Sequence, residues 1–197
     1  MHFTLTDLVT DITQNGAESG ADLVELFIGE STDSSGKKEF RFMVKDNGKG
    51  MSIEEQRLAQ DPFVTDGIKH PHRKVGLGIP FLIQTAETSG GGWKMESKKR
   101  TEGSASGTEI SAWFDLGNVD TPPVGDIPGM FRTVLLFGGP AEMVIRRVRD
   151  MPPEARLDYE VRKTELADAL GDLEDTQSLI LLDQYLRSLE EPGDEEK

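Results

Sequence analysis

Apolar residues recur at Leu5, Leu8, Val9 and Ile12, the spacing that gathers side chains on one face of a helix. Thr4 and Thr6 stand before this stripe as caps and Gly20 lies past its end, so residues 5–18 are predicted to form an amphipathic helix. The period then shortens. Leu23, Val24, Leu26, Phe27 and Ile28 fall within 22–30, and Phe40, Phe42 and Val44 alternate within 39–45. The polar stretch between them holds Ser34, Ser35 and Gly36, which predicts two antiparallel strands joined as a hairpin. A glycine-bearing turn over 46–50 ends the second strand, and Ser52 with Glu55 forms a capping-box signature for a helix over 52–60. From 61 to 74 the pattern vanishes into Pro62, Gly67, Pro71 and a run of cationic residues, the composition of a lid-like loop. Ile79, Phe81, Leu82 and Ile83 open another helix that stops before Ser89, and 93–97 and 108–114 alternate as two more strands.

Beyond this core, Pro122, Pro123, Gly125 and Pro128 read as a linker, placed at 119–130 between a core of 1–118 and a C-terminal part of 131–197. Two stretches, 132–137 and 143–148, flank Gly138, Gly139 and Pro140 as a predicted hairpin, with 156–161 as a third strand. Residues 164–189 read as helical, with Leu179, Ile180, Leu182, Tyr185, Leu186 and Leu189 as an apolar stripe better suited to a core than to a dimer seam. The fold class expected is α+β, with a mixed, mainly antiparallel sheet and a C-terminal β-hairpin plus helical extension.

Composition narrows the chemistry. A formal charge of −14 opposes nucleic-acid phosphates and anionic lipid at long range, so neither is an expected partner. Acidic residues far outnumber basic ones from Asp150 onward, which reads first as a solvated face. The absence of cysteine excludes disulfides, thiolate zinc sites and cysteine nucleophiles. The three histidines, His2, His70 and His72, make no transition-metal set. With no apolar run long enough to cross a bilayer and no signal-peptide pattern at the start, the expected location is cytoplasmic.

Three short patterns carry candidate chemistry. Asp46, Asn47, Gly48, Lys49, Gly50 and Met51 follow a predicted strand; the composition is that of an ordinary tight turn, but a carboxylate at a strand end also accepts a hydrogen bond from an exocyclic amine such as that of adenine. Gly76, Leu77 and Gly78 lead into a helix whose first amides lack partners, a phosphate-binding arrangement as well as a close-packing one; Lys69, Arg73 and Lys74 gather beside it. Asp11 and Asn15 share a helix face with Glu18, a polar surface that also supplies two oxygen ligands of the kind magnesium takes beside phosphates. Gly107 and Thr108 open the last core strand and say little alone.

Taken in order, these patterns resemble the GHKL ATPase superfamily of gyrase B subunits, ninety-kilodalton heat-shock chaperones, histidine kinases and MutL mismatch-repair proteins, over roughly residues 5 to 115. The segment from Asp61 to Thr65, with Phe63 at its centre, is similar to the aromatic box before the lid of sensor kinases. The resemblance implies the Bergerat ATP-binding fold, a two-layer α/β sandwich. It implies that Asn15 coordinates Mg2+, that Asp46 binds the adenine amine, and that Gly48, Gly50 and Met51 shape the base pocket. Gly76, Leu77 and Gly78 would offer amides to the phosphates, Lys74 and Arg73 would close over them, and Thr108 would reach the base through water. Where many hydrolytic members carry glutamate four residues before the asparagine, this sequence has Asp11, whose shorter arm puts catalysis in question and leaves binding intact. No histidine-bearing phosphoacceptor helix pair lies upstream, so a complete histidine kinase is not expected. The reading is a stand-alone cytoplasmic Mg-ATP-binding protein acting as a nucleotide-dependent switch on a protein partner. The alternative is a serine protein kinase of the anti-sigma-factor type, or a slow ATPase, with Asp11 as catalytic base.

Overall fold

The computed structural model describes residues 3–62, 78–101, 104–152 and 156–191. Helix α1 (Leu5–Ala17) begins as the pattern requires: Thr4 N–H donates to Asp7 Oδ2 at 2.9 Å and Asp7 N–H donates to Thr4 Oγ1 at 3.2 Å, a reciprocal box that satisfies two orphan amides. Strands β1 (Leu23–Thr32) and β2 (Lys38–Asp46) form the expected hairpin, turned by Asp33, whose Oδ1 accepts from the amides of Ser35 and Lys37. Helix α2 (Ile53–Gln60) starts at the Ser52–Glu55 box. Helix α3 (Gly78–Thr88) and strands β3 (Gly92–Lys98) and β4 (Gly107–Asp115) follow.

Next come α4 (Ile127–Leu135), β5 (Glu142–Asp150), β6 (Leu157–Arg162), α5 (Lys163–Leu170) and α6 (Thr176–Glu190). All six strands join one sheet in the order β3-β4-β2-β1-β5-β6. Every neighbouring pair is antiparallel except β1 with β5. The period-two alternation sends Val24, Leu26 and Ile28, Phe40, Phe42 and Val44, and Ile110, Ala112 and Phe114 to one face, where they pack with Leu5, Leu8, Val9, Ile12 and Leu82 of the helices. The alternate residues, among them Phe27, Met43 and Trp113, are half-buried on the other face, where the Arg41 guanidinium lies 5.8 Å from the Trp113 ring. This is a two-layer α/β sandwich with a C-terminal hairpin and helices, as expected. Among the described residues no helix is long and apolar enough to cross a membrane.

The C-terminal half corrects one expectation and adds detail to two others. Residues 132–137 belong to a helix and its end, not to a strand: Asp126 caps α4 through the Gly129 amide, Pro128 needs no amide partner in the first turn, and Ile127, Met130, Phe131, Val134 and Leu135 bury one helical face. The hairpin is therefore made by β5 and β6. Within 119–130 the carbonyls of Pro123 and Val124 accept from the amides of Leu5 and Thr6, both at 2.9 Å, and α4 starts at Ile127. The final helix is broken at Gly171, whose φ of +79° suits a residue without Cβ, and of its stripe Leu182 and Leu186 are buried while Ile180 and Tyr185 are exposed.

The β5 alternation puts Arg147 opposite Ile28, on the covered face, where it is fully buried. Its Nε donates to Glu190 Oε1 at 3.0 Å, its Nη1 to the Val148 carbonyl at 2.9 Å, and its Nη2 to Glu30 Oε2. Burial works against the guanidinium charge and the two carboxylates outweigh it. Tyr159 O–H also donates to Glu190, and burial followed by that carboxylate pushes its ionisation well above the usual range.

Candidate functional site

Asp46 continues the row Phe40, Phe42, Val44 by one period, so it ends β2 on the helix-covered face and is buried. Its register partner Thr108 ends the equivalent row of β4. A carboxylate in that position needs donors, and it has them: Ser19 Oγ donates to Oδ1 at 3.0 Å and Gly48 N–H donates to the same oxygen at 2.8 Å. Burial raises the Asp46 carboxyl above its usual 3.8, against the opposing pull of the Gly48 amide, the Ser19 hydroxyl and the Thr108 amide.

The turn after Asp46 is built by contacts that admit no side chain. A Cβ on Gly48 would stand 1.8 Å from Ser19 Oγ, and one on Gly50, at φ +61°, would stand 1.9 Å from the Lys98 carbonyl oxygen. Gly50→Ala is therefore expected to cost about 3 kcal/mol of stability, read as a lower midpoint in denaturant unfolding; a change within 0.5 kcal/mol, roughly the size of an ordinary surface substitution, would contradict this packing. Asn47 Oδ1 ties the turn to β1 by accepting from the amides of Asp22 and Leu23. Met51 N–H donates to Ser97 Oγ at 2.8 Å, and that hydroxyl lies 2.8 Å from Thr108 Oγ1 and donates to the Gly107 carbonyl at 3.1 Å. Asp46, Gly48, Gly50, Met51 and Thr108 thus meet at one end of the sheet.

A second group forms where α3 starts against α1. A Cβ on Gly78 would lie 3.5 Å from Asn15 Nδ2 and 4.0 Å from Asp11 Cβ, so both predicted oxygen ligands border the first turn of α3. Glu18 is drawn aside, accepting from Gln14 Nε2 at 2.9 Å. The two groups are joined by α1 itself: Asn15 faces Gly78, and the next residue, Gly16, faces Asp46, its missing Cβ 3.7 Å from Asp46 Oδ2. One helix therefore borders a buried carboxylate and a helix N-terminus at once. Among the described residues no three acidic or histidine side chains converge as a metal set. An amide beside a helix N-terminus suits a cation that shares its coordination with phosphate oxygens and water.

Phe63, Val64, Thr65, Lys69, Arg73, Lys74, Gly76 and Leu77, and all three histidines, lie outside the described residues. On and after β3, Lys94 pairs with Glu96 and Lys99 with Glu55, while Arg100 donates to the Asn47 carbonyl and to Ser106. Sequence reasoning named Asn47 without a role and missed Ser19, Ser97 and Gln56, whose Nε2 donates to the Ser97 carbonyl at 3.0 Å. Serine, asparagine and glutamine at such places carry no periodic signal; the β3–β4 register sets Ser97 opposite Thr108, and Ser19 comes to Asp46 from the end of α1.

The model of the histidine kinase-, DNA gyrase B- and HSP90-like ATPase family matches residues 3–118. No curated protein matches the chain. Among solved structures, the crystal structure of full-length ShkA in complex with AMPPNP is similar at 15% identity and a TM-score of 0.34, over 61% of this chain and 32% of that one. The protein thus spans about a third of that structure's length. Since the family match runs over more than half of the sequence and takes in both the carboxylate end of the sheet and the α1–α3 junction, the protein belongs to the histidine kinase-, DNA gyrase B- and HSP90-like ATPase family.

Proposed function

We propose that the protein holds ATP with Mg2+ between the end of the sheet and the start of α3, and that nucleotide occupancy switches its hold on a protein partner. The observation that carries this reading is the buried Asp46 carboxylate, fixed on one oxygen by Ser19 and Gly48 and bordered by a helix glycine on the other. Asp46 accepts the amine of the base, and Thr108, whose hydroxyl is oriented by Ser97, contacts the base through water. Gly48, Gly50 and Met51 form the wall, since their backbone is held too tightly to admit side chains or drift. The N-terminus of α3 at Gly78 would meet the phosphates; Arg73, Lys74, Gly76 and Leu77, which the resemblance assigns to them, lie outside the described residues. Asn15 would hold Mg2+, which when bound offsets phosphate charge.

A partner surface is supported by α6, where Ile180, Leu181 and Tyr185 stand exposed in the acidic part of the chain. Calorimetric titration with ATP, with and without magnesium, tests the binding reading. At a hundredfold excess over the dissociation constant, Mg-ATP is expected to add about 2.7 kcal/mol of stability, seen as a higher melting temperature. No shift at millimolar Mg-ATP would remove the reading.

The placement of Asp11 beside Gly78 favours a second reading, phosphoryl transfer to a serine hydroxyl or to water. Asp11 would accept the proton of the attacking hydroxyl while the amides of the α3 turn hold the transferring group. Labelled ATP separates the two: transfer or phosphate release that is lost in Asp11→Asn supports this reading, and its absence in the wild type removes it.

A further inference from the structure

We propose that Ser19, a residue outside every motif of the sequence, is a positioning residue for base recognition: its hydroxyl locks the rotation of the Asp46 carboxylate. This rests on the reading of Asp46 as the group that meets the adenine amine. The torsion that turns a carboxylate about its Cβ–Cγ bond is soft and nearly two-fold, so an aspartate aimed at a ligand needs outside donors to hold one rotation. Asp46 has two on the same oxygen, the Gly48 amide at 2.8 Å and the Ser19 hydroxyl at 3.0 Å. Both placed on Oδ1, they leave Oδ2 on the side where α1 presents Gly16.

Ser19 is itself held rigidly. Its amide donates to the Gly16 carbonyl at 3.1 Å, closing the last turn of α1, and its carbonyl accepts from the Lys49 amide at 3.1 Å. The base-side turn is thus stitched to α1 through one residue, and the hydroxyl fills the space that a Gly48 side chain would need, 1.8 Å from its missing Cβ. Among the described residues, the groups acting on Asp46 are the Gly48 and Thr108 amides and the Ser19 hydroxyl, with no charged side chain among them. Ser19 is therefore the one side-chain donor among those contacts.

The test uses the full chain, with ATP and inosine triphosphate, whose base carries a carbonyl where adenine has its amine. Ser19→Ala is expected to weaken ATP about 5- to 20-fold and inosine triphosphate by less than about twofold, with a melting temperature close to wild type. It is also expected to move the pH below which ATP affinity falls upward by about half a unit or more, because the ionised carboxylate loses a donor. Ser19→Thr, which keeps the hydroxyl, is expected to restore both. Unchanged ATP affinity and pH profile in Ser19→Ala would overturn the proposal, as would an equal loss for both nucleotides, which marks a general distortion. If the wild type bound the two nucleotides equally well, the assignment of Asp46 would fall and the role of Ser19 with it, an outcome distinct from either of those.

Discussion

Asp46→Asn weakens ATP by about 100-fold and leaves inosine triphosphate bound as well as ATP or better, the loss expected when a buried charged hydrogen bond is replaced by two facing donors. The Ser19 hydroxyl and the Gly48 amide both point at Oδ1, so an asparagine must give its carbonyl oxygen to that place. Its amide nitrogen then takes the other position, where it opposes an amine and suits a carbonyl. Titration calorimetry with both nucleotides measures this; ATP affinity within about threefold of wild type would remove Asp46 from the base site.

The same substitution has an opposite effect on the empty protein. Burial holds the Asp46 carboxyl above 3.8, so the folded chain takes up this proton more readily than the unfolded one. Ionised Asp46 subtracts stability at pH values above its raised pKa, and that loss fades as pH falls through the raised value toward 3.8. Asp46→Asn is accordingly expected to melt higher than wild type at neutral pH without nucleotide. A variant that neither binds nor folds stably would mark the residue as structural.

Arg147→Ala is expected to lower stability by about 3–5 kcal/mol, the range for leaving a buried partner charge uncompensated. Glu30 and Glu190 keep side-chain exposures of only 12% and 15%, so water replaces the guanidinium poorly. Chemical denaturation measures the loss. The triple variant Glu30→Gln, Arg147→Met, Glu190→Gln removes all three charges together and is expected to recover most of it. A triple variant as unstable as the single one would show that the loss in Arg147→Ala does not come from carboxylates left without their countercharge.

The described elements of the first 115 residues were legible because they are locally determined. The α1 stripe, the β1–β2 hairpin and the Ser52–Glu55 cap each rest on residues a few positions apart, and the Asp46 to Met51 turn announces itself by its glycines. The C-terminal half was harder for physical reasons. At α4, Pro128 and Gly129 sit where a first turn tolerates them, so a helix start has the composition of a linker. The split at Gly171 lies between two segments that both read as helix, so the short Gly171 to Asp175 break passes as part of one. Arg147 looks like one more surface cation until Glu30 and Glu190, far away in sequence, are brought beneath it. At the site, the aspartate and the glycines were readable, and the serines that aim them were not.

The parallel pairing of β1 with β5, from Leu23 opposite Glu142 to Ser31 opposite Asp150, makes β1 an interior strand. A fragment cut at residue 118, where the family match stops, would turn that strand into a raw edge. A long row of unanswered amides and carbonyls would then lie beside Phe27 and uncovered apolar helix surface, an invitation to strand addition and aggregation. The open edge of β1 in the matched region is thus covered by the part of the chain outside the match, and a fragment ending at residue 118 is expected to precipitate.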